Sequence, residues 1–254
     1  MEQKHTIALV TGGSRGLGKD MAFRLAEKGI DVVLTYHSQA DAAQAVVEKI
    51  EQLGRKAAAL RLDTGEIGSF DPFIGELKDT LTQRFGADRL DYLINNAGIG
   101  GYQPIPEVTE AFFDQLLNIH FKGVFFLTQK ILPLLNEGGG IVNISSGLTR
   151  SSVPGSSVYG SLKGAVEVMT RYLAKELGSR KIRANVVAPG AVLTDFGGGH
   201  LRNNEQLQQM VSSVTALGRP GVAEDIGGVV AFLCTEDARW VNGQRIEVSG
   251  GMLV

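Results

Sequence analysis

Cysteine is almost absent from this 254-residue chain: Cys234 is the only one, which excludes an intramolecular disulfide and any metal site built on paired thiolates. Histidine is nearly as scarce. His5, His37, His120 and His200 follow no metal-ligand spacing, so no catalytic metal is expected. An excess of charge is missing too: a formal net charge of −2 and an isoelectric point near 6.1 leave no footprint for nucleic acid or an anionic membrane. No stretch approaches ~18 uninterrupted apolar residues, and the first apolar run is shorter than the ~7–15 residues of a signal-peptide core. These absences lead to the expectation of a cytoplasmic protein acting on a small molecule.

Glycine is plentiful, at 33 residues, and 43% of the chain is hydrophobic against 20% charged, enough for one α/β domain over residues 1–254. Apolar runs alternate with amphipathic stretches, the pattern of a doubly wound, mainly parallel sheet flanked by helices. Seven strands are expected near 6–11, 31–36, 57–62, 90–95, 140–145, 182–188 and 244–248. Helices are expected near 17–28, 40–53, 70–85, 107–135, 157–178, 203–213 and 223–234. The bend Asp195-Phe196-Gly197-Gly198-Gly199-His200 follows the sixth strand. Ligands of open α/β sheets bind beyond the carboxyl ends of the strands, so a mobile substrate lid is expected near 195–215.

The run Ile7-Ala8-Leu9-Val10 leads into Thr11-Gly12-Gly13-Ser14-Arg15-Gly16-Leu17-Gly18 and then a helical pattern, Leu17, Met21, Ala22 and Leu25, closed by Gly29. Strand, glycine loop and helix in that order suit a pyrophosphate: glycines permit close backbone approach, and the helix N-terminus offers unpaired N–H groups. The spacing is Gly-x-x-x-Gly-x-Gly, not the Gly-x-Gly-x-x-Gly of the standard fingerprint. Its place on the first βα crossover outweighs the alternative of an ordinary tight turn. Charge then separates the cofactors. NAD sites put an acid about 20 residues past the loop, and that acid would repel a 2′-phosphate. Here the second strand ends in Tyr36-His37-Ser38 without a carboxylate; Asp31 precedes the strand and Asp41 opens the next helix. Arg15 adds a fork of donors suited to phosphate, with the Thr35 and Ser38 hydroxyls to assist, so NADP(H) is the expected cofactor.

Tyr159 stands four residues before Lys163, and Ser146 thirteen before Tyr159. Taken alone the Tyr/Lys pair is weak, since five Tyr and eleven Lys in 254 residues produce roughly 0.2 such pairs by chance. On a helix the two share one face, ~5–6 Å apart. Bringing a phenol from ~10 to neutrality takes roughly 4 kcal/mol, about what a cation ~4 Å away supplies at an effective dielectric of ~20. An acid/base device is expected, with Lys163 lowering the phenol pKa; a half-buried Tyr above a solvated Lys is the competing reading.

In order along the chain, these segments resemble the short-chain dehydrogenase/reductase family over essentially its whole length. Besides the glycine loop and the Tyr159/Lys163 pair, the resemblance rests on Asp63, Asn95-Asn96-Ala97-Gly98, Asn118, Ile141-Val142-Asn143-Ile144-Ser145-Ser146, and Pro189-Gly190 with Thr194. It implies a Rossmann-fold oxidoreductase with a catalytic Asn118, Ser146, Tyr159 and Lys163. Hydride would pass between the nicotinamide C4 and a carbonyl carbon while Tyr159 moves the proton. Lys163 would tune the phenol and hold the nicotinamide ribose, Ser146 would bind the substrate oxygen, and Asn118 would carry a water-mediated relay to Lys163. The implied cofactor contacts are Gly12, Ser14, Arg15, Gly16, Leu17 and Gly18 in the loop, and Tyr36, His37 and Ser38 after the second strand. Asp63, Thr64, Asn96, Ala97 and Gly98 would lie on the adenosine side; Tyr159, Lys163, Pro189, Gly190, Val192 and Thr194 would surround the nicotinamide. Asp63 and Thr194 compete as turn caps, and Asn95 as a purely structural residue.

Two features depart from the family pattern. The stretch between Asp63 and Asn95 is a few residues longer than the family's usual spacing, with Gly65, Gly68 and Pro72 marking an enlarged surface turn, and His120 stands where an apolar residue is expected. His120 reads as a packed, hydrogen-bonded imidazole outside the chemistry. The leading activity is reduction of ketones or aldehydes. An alternative, a 3-oxoacyl-[acyl-carrier-protein] reductase, needs a basic docking patch; no Lys or Arg falls between Lys130 and Arg150, which leaves Arg171, Lys175, Arg180, Lys181 and Arg183. A non-catalytic nucleotide-sensing or scaffold protein is the third reading, opposed by the intact Asn, Ser, Tyr and Lys set. Apolar surface on the helices near 107–135 and 157–178 and on 246–254 fits the homotetramer that the resemblance implies.

Overall fold

The computed structural model describes residues 6–254, so His5 lies outside the described residues. In chain order the regular elements are β1 (Ile7–Val10), α1 (Gly16–Glu27), β2 (Asp31–Tyr36), α2 (Ala40–Gln52), β3 (Ala57–Arg61), α3 (Phe70–Thr80), β4 (Leu90–Asn95) and α4 (Glu110–Leu117). They continue with α5 (Gly123–Ile131), β5 (Leu135–Ile144), α6 (Ser157–Glu176), β6 (Arg183–Pro189), α7 (Glu205–Ser213), α8 (Ala223–Leu233) and β7 (Arg245–Val248). The strands form one sheet in the order β3-β2-β1-β4-β5-β6-β7, and every pairing is parallel. The order reverses between β1 and β4, which opens a crevice at their carboxyl ends, where the glycine loop and Asn95 emerge.

A parallel sheet needs cover on both faces, which explains the unbroken apolar runs. On β1, Ala8 and Val10 join one core with Met21, Leu25, Val46, Ile50 and Val230, while Ile7 and Leu9 join the opposite core with Phe70, Leu77, Leu127 and Ile131. Each such fully buried side chain contributes ~1.5–3 kcal/mol through burial, and truncating Leu127 or Ile131 to Ala would cost ~2–5 kcal/mol. Among the described residues no helix is long and apolar enough to cross a membrane.

The helix expected over 107–135 is broken up. Pro104 and Pro106 keep its start in a short 3-10 turn, Ile105–Glu107, and α4 begins only after Thr109, whose hydroxyl accepts from the Phe112 N–H at 3.2 Å. A π-helical turn, Asn118–Lys122, separates α4 from α5, and Pro133 ends the run in another 3-10 turn. β5 starts five residues earlier than expected: Leu135 already pairs with Leu90, and the register shifts before Tyr92 meets Gly140. The helix expected over 70–85 likewise closes in a π-helical turn, Leu81–Phe85, stopped by left-handed Gly86.

Candidate active site

The glycine loop is held from below. The buried Thr11 hydroxyl accepts from the N–H groups of Asn96 and Ala97 at 2.9 and 3.0 Å, and the Asn96 side chain donates to the carbonyls of Thr11 and Gly12 at 2.9 and 3.2 Å. Gly12 takes φ +66°, and a Cβ on Gly18 would fall deep inside the Gly12 carbonyl, so both positions require glycine. α1 carries no acid in its first turn and no side-chain cap, so no side chain of its own end satisfies its first N–H groups. Ser14 and Leu17 are half-buried beside them, and Gly16 looks across at Thr194, 3.8 Å from where its Cβ would be. Thr35, expected to assist a phosphate, is buried instead and accepts from the Gly12 N–H at 3.1 Å.

At the end of β2, Tyr36 is half-buried while His37 and Ser38 are exposed, as is Arg15 in the glycine loop. No carboxylate pairs with Arg15 among the described residues. The nearby acid, Asp63, lies 3.3 Å from His37 Nε2 and accepts from the Gly65 N–H at 2.8 Å. The Thr64 carbonyl packs so tightly on Gly123 that no side chain fits there. Asn95 is a structural clamp: its amide donates to Asn143 Oδ1 at 2.8 Å and Thr128 Oγ1 at 3.0 Å, and Asn143 donates to Thr170 Oγ1 at 2.8 Å, tying β4 and β5 to α5 and α6. Gly190 closes against Ser249, and Val192 bridges to Gly221, fixing the segment that presents Thr194. The Thr194 hydroxyl accepts from the Phe196 N–H at 3.3 Å, so it does cap a turn while facing the crevice.

Ser146, Tyr159 and Lys163 come together at the carboxyl end of β5 and on α6. The Ser146 side chain lies near enough to the Tyr159 phenol to lower its pKa, and Lys163 Nζ stands 5.6 Å from the Tyr159 ring centroid. Ser145 is turned away, buried and donating to Glu167 Oε1 at 2.7 Å, which leaves Ser146 as the serine in the site. The expectation that Lys163 lowers the phenol pKa is corrected. Burial pushes Tyr159 up to about 12, only partly offset by the Ser146 side chain, because Lys163 donates to the Ile144 carbonyl at 2.8 Å instead of the phenol. Burial likewise brings Lys163 down to about 8.

Asn118 is half-buried at the start of the π-helical turn, and its carbonyl accepts from the Gly123 N–H. His120, two residues on, is the residue that packs against Tyr159, edge-on with ring centroids 5.0 Å apart. Burial first, then the Lys163 charge, bring His120 down to about 3, against a smaller upward pull from the Ile99 backbone. Among the described residues, no group of three or more His, Cys, Asp or Glu is arranged to hold a metal ion.

Sequence reasoning missed the scaffold behind Ser146. Glu167 Oε1 accepts from Ser145 Oγ, Thr149 Oγ1 and Arg245 Nε, while Arg245 also donates to the Ser146 carbonyl at 3.3 Å and pairs with Glu247 at 2.9 Å. Glu167 had a signal, four residues past Lys163 on the same helix face; Arg245, 78 residues further on, had none. Tyr102 at the mouth of the site was missed as well, and Phe196 was placed in the expected lid without a role of its own. Phe196 tilts over Tyr159 at 5.9 Å between centroids, and Tyr102 lies against Gly155, where its ring leaves no room for a Cβ.

The whole chain has known counterparts. A family model described as enoyl-(acyl carrier protein) reductase matches residues 12–253. An uncharacterised oxidoreductase of Methylorubrum extorquens is 41% identical over 248 residues, 97% of each chain. A hydroxynaphthalene reductase-like protein of Metarhizium majus is 38% identical over 256 residues, 96% of this chain and 94% of its own. The structure of the angucycline C-6 ketoreductase LanV with bound NADP superposes with a TM-score of 0.92 at 39% identity, covering 98% of this chain and 95% of that one. With the glycine loop, the parallel sheet and the Ser146, Tyr159 and Lys163 cluster in place, the chain belongs to the short-chain dehydrogenase/reductase family of oxidoreductases.

Proposed function

We propose that the protein is an NADPH-dependent ketoreductase. One observation carries this reading: the Tyr159 phenol, beside Ser146 and Lys163, stands at the same sheet end as a glycine loop whose helix N-terminus has no side-chain cap. NADPH supplies the hydride. The residues present fit it: Gly12 to Gly18 and the α1 N-terminus would take the pyrophosphate, and Arg15, His37 and Ser38 the 2′-phosphate, with no acid at the β2 end except Asp63 beside His37. Asp63, Thr64 and Asn96 to Gly98 would line the adenosine side, and Lys163, Pro189, Gly190, Val192 and Thr194 the nicotinamide side.

In reduction, Ser146 holds the substrate carbonyl oxygen, and Tyr159 gives that oxygen its proton as hydride adds to the carbon. The phenolate left behind would draw on the Lys163 ammonium, which in the resting structure donates to the Ile144 carbonyl and would turn to the phenolate as the proton leaves. A phenol at about 12 is fully protonated at neutral pH, which suits the donor role. Asn118 would contribute to proton return from solvent, and residues 195–215 would close over the bound ketone.

The substrate favoured by the site is a cyclic aromatic ketone. Phe196 and Tyr102 flank the mouth with half-exposed and exposed rings, and the named relatives include a hydroxynaphthalene reductase-like protein and an angucycline C-6 ketoreductase. Acyl-carrier thioesters are less favoured, because two members of the basic patch are engaged internally. Arg180 donates to the Leu132 and Leu135 carbonyls, and buried Arg183 to the Leu233 carbonyl. Phe113, Phe125, Val168 and Tyr172 remain exposed on α4, α5 and α6, which supports a homotetramer; a single-chain mass in light scattering would overturn it. The test of function is NADPH oxidation with a panel of aromatic ketones, aliphatic ketones and acyl-carrier thioesters, repeated with NADH. Turnover of none of them, or turnover unchanged by Tyr159→Phe, rejects the reading in favour of a nucleotide-sensing or scaffold role.

A further inference from the structure

One buried polar atom in the site lacks a partner. His120 is fully buried on the π-helical turn, and its Nε2 lies 2.8 Å from the Ile99 carbonyl oxygen. The Ile99 N–H lies farther from Nε2, at 3.3 Å, and the shorter contact to the carbonyl assigns the ring proton to Nε2, leaving Nδ1 as a lone-pair acceptor. Nδ1 has no hydrogen-bond partner among the described residues. Buried acceptors are nearly always satisfied, so the ring's surroundings indicate what this one serves.

Three of them converge. The ring stands edge-on to Tyr159, within reach of the Lys163 charge. Its Cε1–Nδ1 edge faces Gly98: a Cβ there would lie 2.7 Å from Cε1 and 3.3 Å from Nδ1, so glycine at 98 makes room for the imidazole. The bare acceptor therefore sits between the Tyr159/Lys163 pair and segment 96–99 of the crevice. Among the described residues the Lys163 ammonium donates one bond, to the Ile144 carbonyl, and an ammonium carries three N–H groups. The titratable groups facing His120 are Tyr159 and Lys163 of α6; Gly98 and Ile99 bring only backbone.

We propose that His120 is a positioning residue of the proton-transfer site, its Nδ1 accepting a hydrogen bond from the Lys163 ammonium through one bound water. It thereby fixes where the ammonium stands relative to Tyr159. Neutrality is part of the device, since a second cation beside Lys163 would oppose the charge that Tyr159 needs. This role rests on the acid/base reading of Tyr159 and Lys163, and it moves the lysine-side relay expected at Asn118 to the residue that touches Tyr159.

The test compares wild type, His120→Leu, His120→Asn and Tyr159→Phe in ketone reduction with NADPH, from about pH 6 to about pH 10. His120→Leu keeps the bulk and removes the acceptor; kcat should fall ~10- to 100-fold with both KM values held, and the upper pH limb should move down as the ammonium loses support. His120→Asn restores an acceptor and should bring kcat back to within a few-fold of wild type. Wild-type kcat and pH profile in His120→Leu, or no recovery in His120→Asn, overturns the proposal. A reading independent of folding and activity comes from the imidazole 15N spectrum of wild type with NADPH, which should show a neutral ring, protonated at Nε2 and hydrogen-bonded at Nδ1. An Nδ1–H tautomer, or a free Nδ1 lone pair, overturns it too. Activity surviving in Tyr159→Phe rejects the reaction assignment instead and leaves the nitrogen spectrum to decide His120.

Discussion

Behind Ser146 the chain is fastened at every turn: Glu167 gathers Ser145, Thr149 and Arg245, Arg245 reaches back to the Ser146 carbonyl, and Asn95 and Asn143 tie the sheet to α5 and α6. Across the crevice the segment 195–215, which we propose as the lid, is the reverse. Gly197, Gly198 and Gly199 run consecutively at positive φ, and α7 has no fully buried residue. Acid/base chemistry needs its groups held within hydrogen-bonding distance, and cross-linked side chains on strands and helices provide that. A lid that admits substrate and expels water has to open, and a segment with few buried contacts opens at little cost. The division predicts that changes in the floor act on kcat and changes in the lid act on KM.

The strongest test of that division is Tyr159→Phe. Deleting one oxygen from the floor should reduce kcat by ~10²- to 10⁴-fold with KM and melting temperature unchanged. Comparable activity would mean the floor is not where the proton moves. The same groups set the pH response. Lys163, brought down to about 8, is charged below that value and Tyr159, pushed up to about 12, is protonated, the state reduction requires. Reduction should hold steady at lower pH and decline as Lys163 loses its proton above about 8, whereas the reverse oxidation, which needs the phenolate, should rise with pH. Rates measured in both directions with saturating cofactor check the opposite slopes.

Arg15 belongs to neither region, and its substitution isolates cofactor choice from both. Arg15→Ala should raise the KM for NADPH ~10- to 100-fold, the worth of a charge-assisted contact to phosphate, and leave NADH unaffected. Equal losses with both cofactors would assign Arg15 to loop structure. Glu167→Gln probes the scaffold: the amide can still accept from Ser145, but the half-buried Arg245 loses one of its two charged partners and keeps only Glu247. A loss of ~1–3 kcal/mol of stability and a several-fold lower kcat should appear together, because the Ser146 backbone hangs on Arg245. A stability loss with kcat intact would detach the scaffold from the chemistry.

How far the sequence reached follows the same division. Strand runs, the glycine loop and the Tyr159/Lys163 pair were legible because each rests on a local signal: a short continuous apolar run, a βα turn, or one helical turn, while Ser146 came from its resemblance to the family pattern. The long helix misled because its pattern stays apolar through the π-helical turn, and the extra residue there rotates every later side chain, bringing His120 rather than Asn118 against Tyr159. The phenol pKa was misjudged because spacing shows that Lys163 is near but not that its donor goes to Ile144. Arg245 was invisible, since the contact that matters joins β7 to α6 across 78 residues.

The smallest expected effect lies in the lid and separates contact from closure. Phe196 is 49% exposed, so replacing it with Ala removes little buried surface and should leave melting temperature within experimental scatter. Its ring tilts over Tyr159 at 5.9 Å, where an aromatic substrate would meet it. An aromatic contact is worth ~0.5–1.5 kcal/mol, so the KM for a naphthalene-type ketone should rise ~2- to 10-fold at constant kcat. A small aliphatic ketone, too short to reach the ring, should show no change. If instead both ketones lose kcat by the same factor, Phe196 works by sealing the lid against water, and the lid would then share in the chemistry that the comparison assigns to the floor.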